Sequence, residues 1–329
     1  MDKNKGKKIG VAGNHTTTID LISNLLHHGY KIDCIINIAS SLDGKVAGYT
    51  DLGSFAKKNR IKIIRPKTYG LKSEYDKKAI GDLKLDVLLV CGWQRLVPEW
   101  LLSTLTIGAF GTHGSWKPLP YGRERSPGNW SLLLGKDTFI DNLFKYDSGI
   151  DSGAIVGSIQ FKLSPFDTIA TYYHKDQLVQ QTLLLKHLPA LLSGTFNYRM
   201  QPTAKKAFLL PKRTEEDGVI DWNWKTEYIF NLVRAVTRPY PGAYTFLKSK
   251  KITIWNAIPF HLFPSFKTKR VGEIIAAFDD STFVVRTNDG ALQVLEYEAT
   301  NWRPKAQQVL HSTKNKSFVK LRLAGIYER

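Results

Sequence analysis

The chain of 329 residues is 43% hydrophobic and 12% aromatic, enough for one large or two ordinary globular domains. With 23% charged residues, 25 Gly and 14 Pro, its composition excludes a disordered, collagenous or coiled-coil protein. The 47 Lys and Arg against 29 Asp and Glu give a formal charge of +18, a balance that attracts anions such as nucleic acid, phosphorylated ligands or a membrane surface.

The first half alternates strand and helix patterns. Residues 8–12 read as a buried strand, and 17–28 as a helix with Ile19, Leu21, Ile22, Leu25 and Leu26 on one face. A strand over 31–38, a helix over 52–58 and a strand over 61–64 follow, then a helix over 73–83 and a strand over 86–91. Pro98 opens a short helix to 105, and 108–112 is another strand. This alternation predicts a mostly parallel sheet with helices on both faces. A loop rich in Gly and Pro spans 114–128, then a helix over 129–134, strands over 138–146 and 154–161, and a long amphipathic helix over 168–192. The polar stretch 198–206 reads as a linker. Beyond it a helix over 226–235 precedes short strands at 244–247, 251–257, 271–277, 282–287 and 292–297, a spacing that suggests a small barrel or sandwich.

Cys34 and Cys91 sit in strand-like runs and read as core thiols in a reducing compartment rather than a disulfide or zinc framework. The apolar runs fall short of the roughly 18–20 residues of a spanning helix, and no signal peptide is visible, so a soluble, cytoplasmic protein is expected. The basic residues are scattered and form no run that is also aromatic. They read either as a solvated lysine-rich surface or as a field for an anionic substrate.

Ligands of open parallel sheets bind beyond the carboxyl ends of the strands. His113, just past the 108–112 strand and flanked by glycines, is therefore a candidate catalytic imidazole. The other seven histidines read as helix-face, strand-end or tail residues. Asp151, in a glycine-flanked turn, reads either as an Asx turn or as a carboxylate that orients the imidazole. Gly10-Val11-Ala12-Gly13 lacks the third glycine of a dinucleotide fingerprint, and no phosphate loop or serine nucleophile elbow occurs.

Gly111-Thr112-His113-Gly114-Ser115, the segment Leu119-Pro120-Tyr121-Gly122-Arg123-Glu124-Arg125-Ser126-Pro127 with Asn129-Trp130, and Gly149-Ile150-Asp151-Ser152-Gly153 resemble the 10-formyltetrahydrofolate-dependent formyltransferases. In the second half, Arg213-Thr214-Glu215-Glu216-Asp217-Gly218, Ile220-Asp221-Trp222 and the run from Arg234 to Ala243 resemble the C-terminal domain shared by methionyl-tRNA and amino-sugar formyltransferases. The Arg-Ser-Pro-x-Asn-Trp spacing is most similar to that of the enzyme that formylates UDP-4-amino-4-deoxy-arabinose. The resemblance implies a Rossmann-like α/β domain over 1–200 and a mainly β, OB-like barrel over 201–329.

It implies N-formylation of an amine, with His113 as base and Asp151 as its orienting acid. The family's oxyanion-stabilising Asn falls at Gly111, which leaves open a substitute donor (a backbone N–H, the Thr112 hydroxyl or Asn129), compensating groups on the acceptor, or a slow or degenerate enzyme; Thr112 or Asn129 is expected to stand in for it. Gly92, Trp93, Gln94, Arg95 and Leu96, with Asp151, are expected to hold the folate, and Ser115, Arg123 and Arg125 the acceptor; no metal is implied. No basic tRNA-binding insertion is apparent between 38 and 62, and Ser115-Trp116-Lys117-Pro118 departs from the tRNA enzymes' pattern. The expected acceptor is therefore a nucleotide-linked amino sugar used for surface polysaccharide or lipopolysaccharide. Methionyl-tRNA is the alternative, as is a catalytically silent folate- or RNA-binding module. No membrane insertion is expected, and a homodimer is open.

Overall fold

The computed structural model describes residues 3–40, 46, 48–203, 207–261 and 270–326. Parts of the 198–206 linker and of the 38–62 connection, namely 204–206, 41–45 and 47, lie outside the described residues.

Strands β1 (Ile9–Ala12), β2 (Cys34–Ile36), β3 (Lys62–Ile64), β4 (Val87–Val90) and β5 (Gly108–Ser115) run parallel in the order β3-β2-β1-β4-β5. β1 and β4 are buried at every residue, as central strands covered on both faces must be. Helices α1 (Thr16–His27), α2 (Gly53–Lys58), α3 (Glu74–Gly81) and α4 (Glu99–Thr104) supply the crossovers. Pro98 caps α4 from outside rather than opening its first turn. Ser73 caps α3 through the Asp76 N–H, and Asp76 answers through the Ser73 N–H.

A two-stranded arm pairs β6 (Arg123–Glu124) with β9 (Leu209–Leu210), and α5 (Pro127–Leu133) follows β6. The sheet then turns antiparallel. β7 (Thr138–Lys145) pairs with β5, and β8 (Ile155–Lys162) pairs with β7 at the edge. The long α6 (Ile169–Ser193), capped by Thr168, covers the same face as α1, with Leu183, Leu184 and Leu188 packed among Val11, Leu89 and Phe110.

Helix α7 (Thr226–Val236) leads to β10 (Ala243–Leu247), β11 (Lys250–Phe260), β12 (Ile274–Ala277), β13 (Phe283–Arg286) and β14 (Ala291–Glu298), an antiparallel sheet in the order β10-β11-β14-β13-β12. A return segment bridges Val309 to Glu273 and His311 to Phe246, tying β10 to the start of β12 and closing the sheet as an OB-like barrel does. Helix α8 (Ser317–Leu323), with no clear periodic signal, seats Leu321 in the core.

One apolar core runs from Trp130 and Leu132 of α5 and Tyr172 of α6 through Leu232 of α7 to Ile252 and Val294 of the barrel. Arg234, 7% exposed, crosses the same boundary and donates to the carbonyls of Leu132, Ser164 and Asp167 and to the Asn231 side chain. Burial pushes the Cys34 and Cys91 thiols up to about 12 and about 11. Among the described residues, no helix is long and apolar enough to cross a membrane, and no group of three His, Cys, Asp or Glu could hold a metal ion.

Candidate active site

Strand order reverses between β1 and β4, so the crevice lies beyond their carboxyl ends. His15 leaves β1 there, and Gly92 to Leu96 leave β4. Gly92 adopts φ +73°, and a Cβ there would stand 3.0 Å from the His15 ring. Gln94 Nε2 lies 3.2 Å from His15 Nε2, and its backbone N–H donates to Tyr69 Oη at 2.8 Å. Trp93 is buried edge-on against Tyr69, and the Arg95 guanidinium lies 5.0 Å over the same ring. Leu96 is 57% exposed, an apolar side chain held out beside the crevice. His15, one of the seven histidines read as helix-face, strand-end or tail residues, therefore belongs to this wall.

His113 lies within β5, not past its end, because pairing with β7 carries the strand to Ser115 and sets His113 opposite Asn142. Asn142 Nδ2 donates to the His113 carbonyl at 3.1 Å, and Asn142 Oδ1 accepts from Ser158 Oγ at 2.7 Å. His113 Nδ1 stands 3.6 Å from Asp151 Oδ2, and Nε2 stands 2.8 Å from the Gly122 carbonyl. Both ring nitrogens thus face acceptors. A neutral ring has a proton for one of them, an imidazolium for both. The same Asp151 oxygen accepts the Glu124 N–H at 3.0 Å.

Asp151, Glu124 and Ser126 hold φ of +48°, +80° and +57°, three non-glycine residues in the left-handed region around one imidazole. Gln201 braces the group. Its Nε2 donates to the carbonyls of Asp151 and Gly153 at 2.8 Å each, and its Oε1 accepts from Arg123 at 2.6 Å. Sequence reasoning missed Gln201, which sits in a stretch with only the polar signature of a linker.

The remaining candidates are placed differently. Thr112 does not reach His113, because successive strand residues point to opposite faces. It lines a small cavity with Thr17, Gln177, Gln180 and Leu184 on the α6 side. Asn129 spends its Nδ2 on the Ala235 carbonyl at 2.7 Å and is 2% exposed, locking α5 to α7. Ser115 is fully buried, accepts the Lys117 N–H and hydrogen-bonds the Lys117 and Tyr121 carbonyls, so it builds the loop rather than meeting a ligand. Arg123 is tied to Gln201, whereas Arg125 is exposed on the same arm.

Comparison with known proteins matches residues 212–312 to the family described as formyl transferase, C-terminal domain. The bifunctional polymyxin resistance protein ArnA of Wigglesworthia glossinidia brevipalpis is 30% identical over 236 residues, 72% of this chain and 35% of that protein. The chain thus spans about a third of the length of that curated relative. The N-formyltransferase of Helicobacter canadensis, solved with folinic acid and dTDP-3-aminofucose, superposes with a TM-score of 0.64 at 17% identity, covering 89% of this chain and all of that one. HypX of Aquifex aeolicus superposes with a TM-score of 0.64 at 16% identity, covering 92% of this chain and 48% of that one.

Proposed function

This chain belongs to the formyltransferase family, and on that premise we propose that it moves a formyl group from 10-formyltetrahydrofolate to the primary amine of a nucleotide-linked amino sugar. The observation that carries the reading is the His113–Asp151 pair, 3.6 Å apart at the carboxyl end of β5, beside the crevice beyond the carboxyl ends of β1 and β4.

The chemistry needs a group that takes the amine's proton as nitrogen attacks the formyl carbon and returns it to the departing folate nitrogen, a service worth roughly 10²–10⁴-fold. His113 is that group. Asp151 orients its Nδ1 side, and Nε2 becomes the acceptor by exchanging the Gly122 carbonyl for the amine. The turn from Gly92 to Leu96 is the folate's wall, with backbone groups on the pterin and exposed Leu96 as its apolar contact. Arg125 and the +18 charge favour a diphosphate-bearing acceptor. In this reading, residues 1–200 carry the chemistry and 201–329 form the second domain. The product feeds surface polysaccharide or lipopolysaccharide assembly from the cytoplasm.

The test is mass spectrometry of the protein with 10-formyltetrahydrofolate and, separately, UDP-4-amino-4-deoxy-arabinose, dTDP-3-aminofucose and methionyl-tRNA. A formylated sugar, lost in His113→Ala and in Asp151→Asn, is the expected result. Formylated tRNA would overturn the acceptor, and folate binding without transfer to any of the three would overturn the activity.

A further inference from the structure

Amine addition to a formyl carbon leaves negative charge on the formyl oxygen, and a transfer site needs a donor aimed at it. Neither residue expected to supply one does so: Thr112 faces the other side of the sheet, and the Asn129 amide is spent on Ala235. Gly111 lies two residues before His113 on β5, so both positions look out of the same sheet face. Gly111 has no side chain to offer, but the space above it is filled. A Cβ at 111 would stand 2.6 Å from Tyr146 Oη, 2.8 Å from Cε1 and 2.9 Å from Cζ. The Tyr146 ring lies over the glycine, stacked on Phe144 with centroids 5.0 Å apart, and its backbone N–H is fixed to the Ala109 carbonyl at 2.8 Å.

We propose that the Tyr146 phenol is the oxyanion donor of this site, a catalytic residue standing in the space where position 111 carries no side chain. The assignment rests on the formyl-transfer reading above. As the amine's lone pair forms the new C–N bond, the carbonyl π pair moves onto oxygen, and the Tyr146 O–H donates a hydrogen bond to it without giving up its proton. The amine's proton passes to His113. When the oxyanion re-forms the carbonyl, the bond to the folate nitrogen breaks, and His113 returns the proton to that nitrogen. The products are the N-formyl sugar and tetrahydrofolate.

Two further observations fit this role. Among the described residues, the Tyr146 hydroxyl has no hydrogen-bond partner, so its proton is available. Burial, followed by the nearby Asp151 and Cys91, holds the phenol far above its ordinary value, so it stays a neutral donor across the working range.

Tyr146→Phe removes the hydroxyl and keeps the ring over Gly111. Steady-state formyl transfer to UDP-4-amino-4-deoxy-arabinose and dTDP-3-aminofucose should show kcat reduced about 10²–10³-fold, the loss typical of one oxyanion donor. The dissociation constant for 10-formyltetrahydrofolate and the melting temperature should stay near wild type. The double variant Tyr146→Ala with Gly111→Asn puts an amide donor into the vacated space and should recover part of kcat relative to Tyr146→Ala alone. If Tyr146→Phe transfers within about threefold of wild type while His113→Ala is inactive, the assignment is overturned and the family chemistry stands. A wild-type chain that binds the folate but formylates neither sugar nor methionyl-tRNA would remove the functional reading and the assignment with it.

Discussion

Replacing Asp176 by Asn should stabilise the protein above neutrality and lessen the fall of its stability between about pH 4 and 7. Asp176 on α6 faces Asp141 on β7, which is 1% exposed. Asp141 Oδ1 accepts the Asn142 N–H at 3.0 Å, and among the described residues Asp141 Oδ2 has no partner. Burial raises both acids, and the charge of Asp176 adds to the rise at Asp141. Burial takes Asp176 to about 7, partly offset by a hydrogen bond with Tyr172.

Between the ordinary value of 3.8 and about 7, the native state holds a proton that the unfolded chain has released. Unfolded binding is then the smaller, so stability falls as pH rises through that window. The full span corresponds to roughly 4 kcal/mol once the group is ionised, and sharing between two carboxyls brings the expected gain of Asp176→Asn to about 2–4 kcal/mol near pH 8. Asn keeps the shape of the protonated acid and its acceptor for Gln180, 2.7 Å away. Urea denaturation of both proteins at several pH values, at a common m-value, measures the difference. Parallel stability curves for wild type and Asp176→Asn between about pH 4 and 8 would refute the argument.

Leu96→Ala should weaken 10-formyltetrahydrofolate binding by about 10-fold or more, the worth of one apolar side chain covered by a ring, with a melting temperature unchanged because Leu96 is exposed in the free protein. Arg234→Ala should cost about 3–5 kcal/mol in chemical denaturation, since three carbonyls and an amide lose a buried donor at once. Thr112→Ala should leave kcat within about twofold of wild type; a loss as large as that expected of His113→Ala would mean that the strand faces are assigned wrongly.

Elements with strong local periodicity were legible in the sequence. The apolar runs of β1 and β4, the amphipathic α1 and the Thr168-capped α6 follow from pattern and capping alone. What escaped was non-local. β5 reaches Ser115 only because β7, arriving after a long loop, pairs antiparallel with it, and no periodicity within Gly111-Thr112-His113-Gly114-Ser115 announces that. His113 and Asp151 were readable as candidates from their glycine neighbours. Tyr146 was not, since its place over Gly111 depends on the register that sets Gly111 against Phe144. Thr112 and Ser115 carry polar groups in the right neighbourhood of the sequence, but strand alternation turns Thr112 to the other face of the sheet, and Ser115, on the face of His113, is buried and spends its hydroxyl on the Lys117 and Tyr121 carbonyls.

Gln201, in the stretch that reads as a linker, and the residues that follow it from Phe208 pack against the candidate site. Gln201 grips the Asp151 loop, Phe208 stacks on Trp116 and accepts the Gly122 N–H at 3.1 Å, and Leu209–Leu210 pair with Arg123–Glu124. Gly122 is the residue whose carbonyl meets His113 Nε2, and Glu124 supplies the N–H that meets Asp151. The two groups that set the imidazole's surroundings are therefore held from outside by chain that comes after α6. A few residues later that chain enters the C-terminal unit, where Arg213 lies 4.5 Å over the Trp130 ring of α5. The 115–126 loop, which carries both groups, is thus held by chain from beyond α6, and Arg213 ties the start of the following unit to α5.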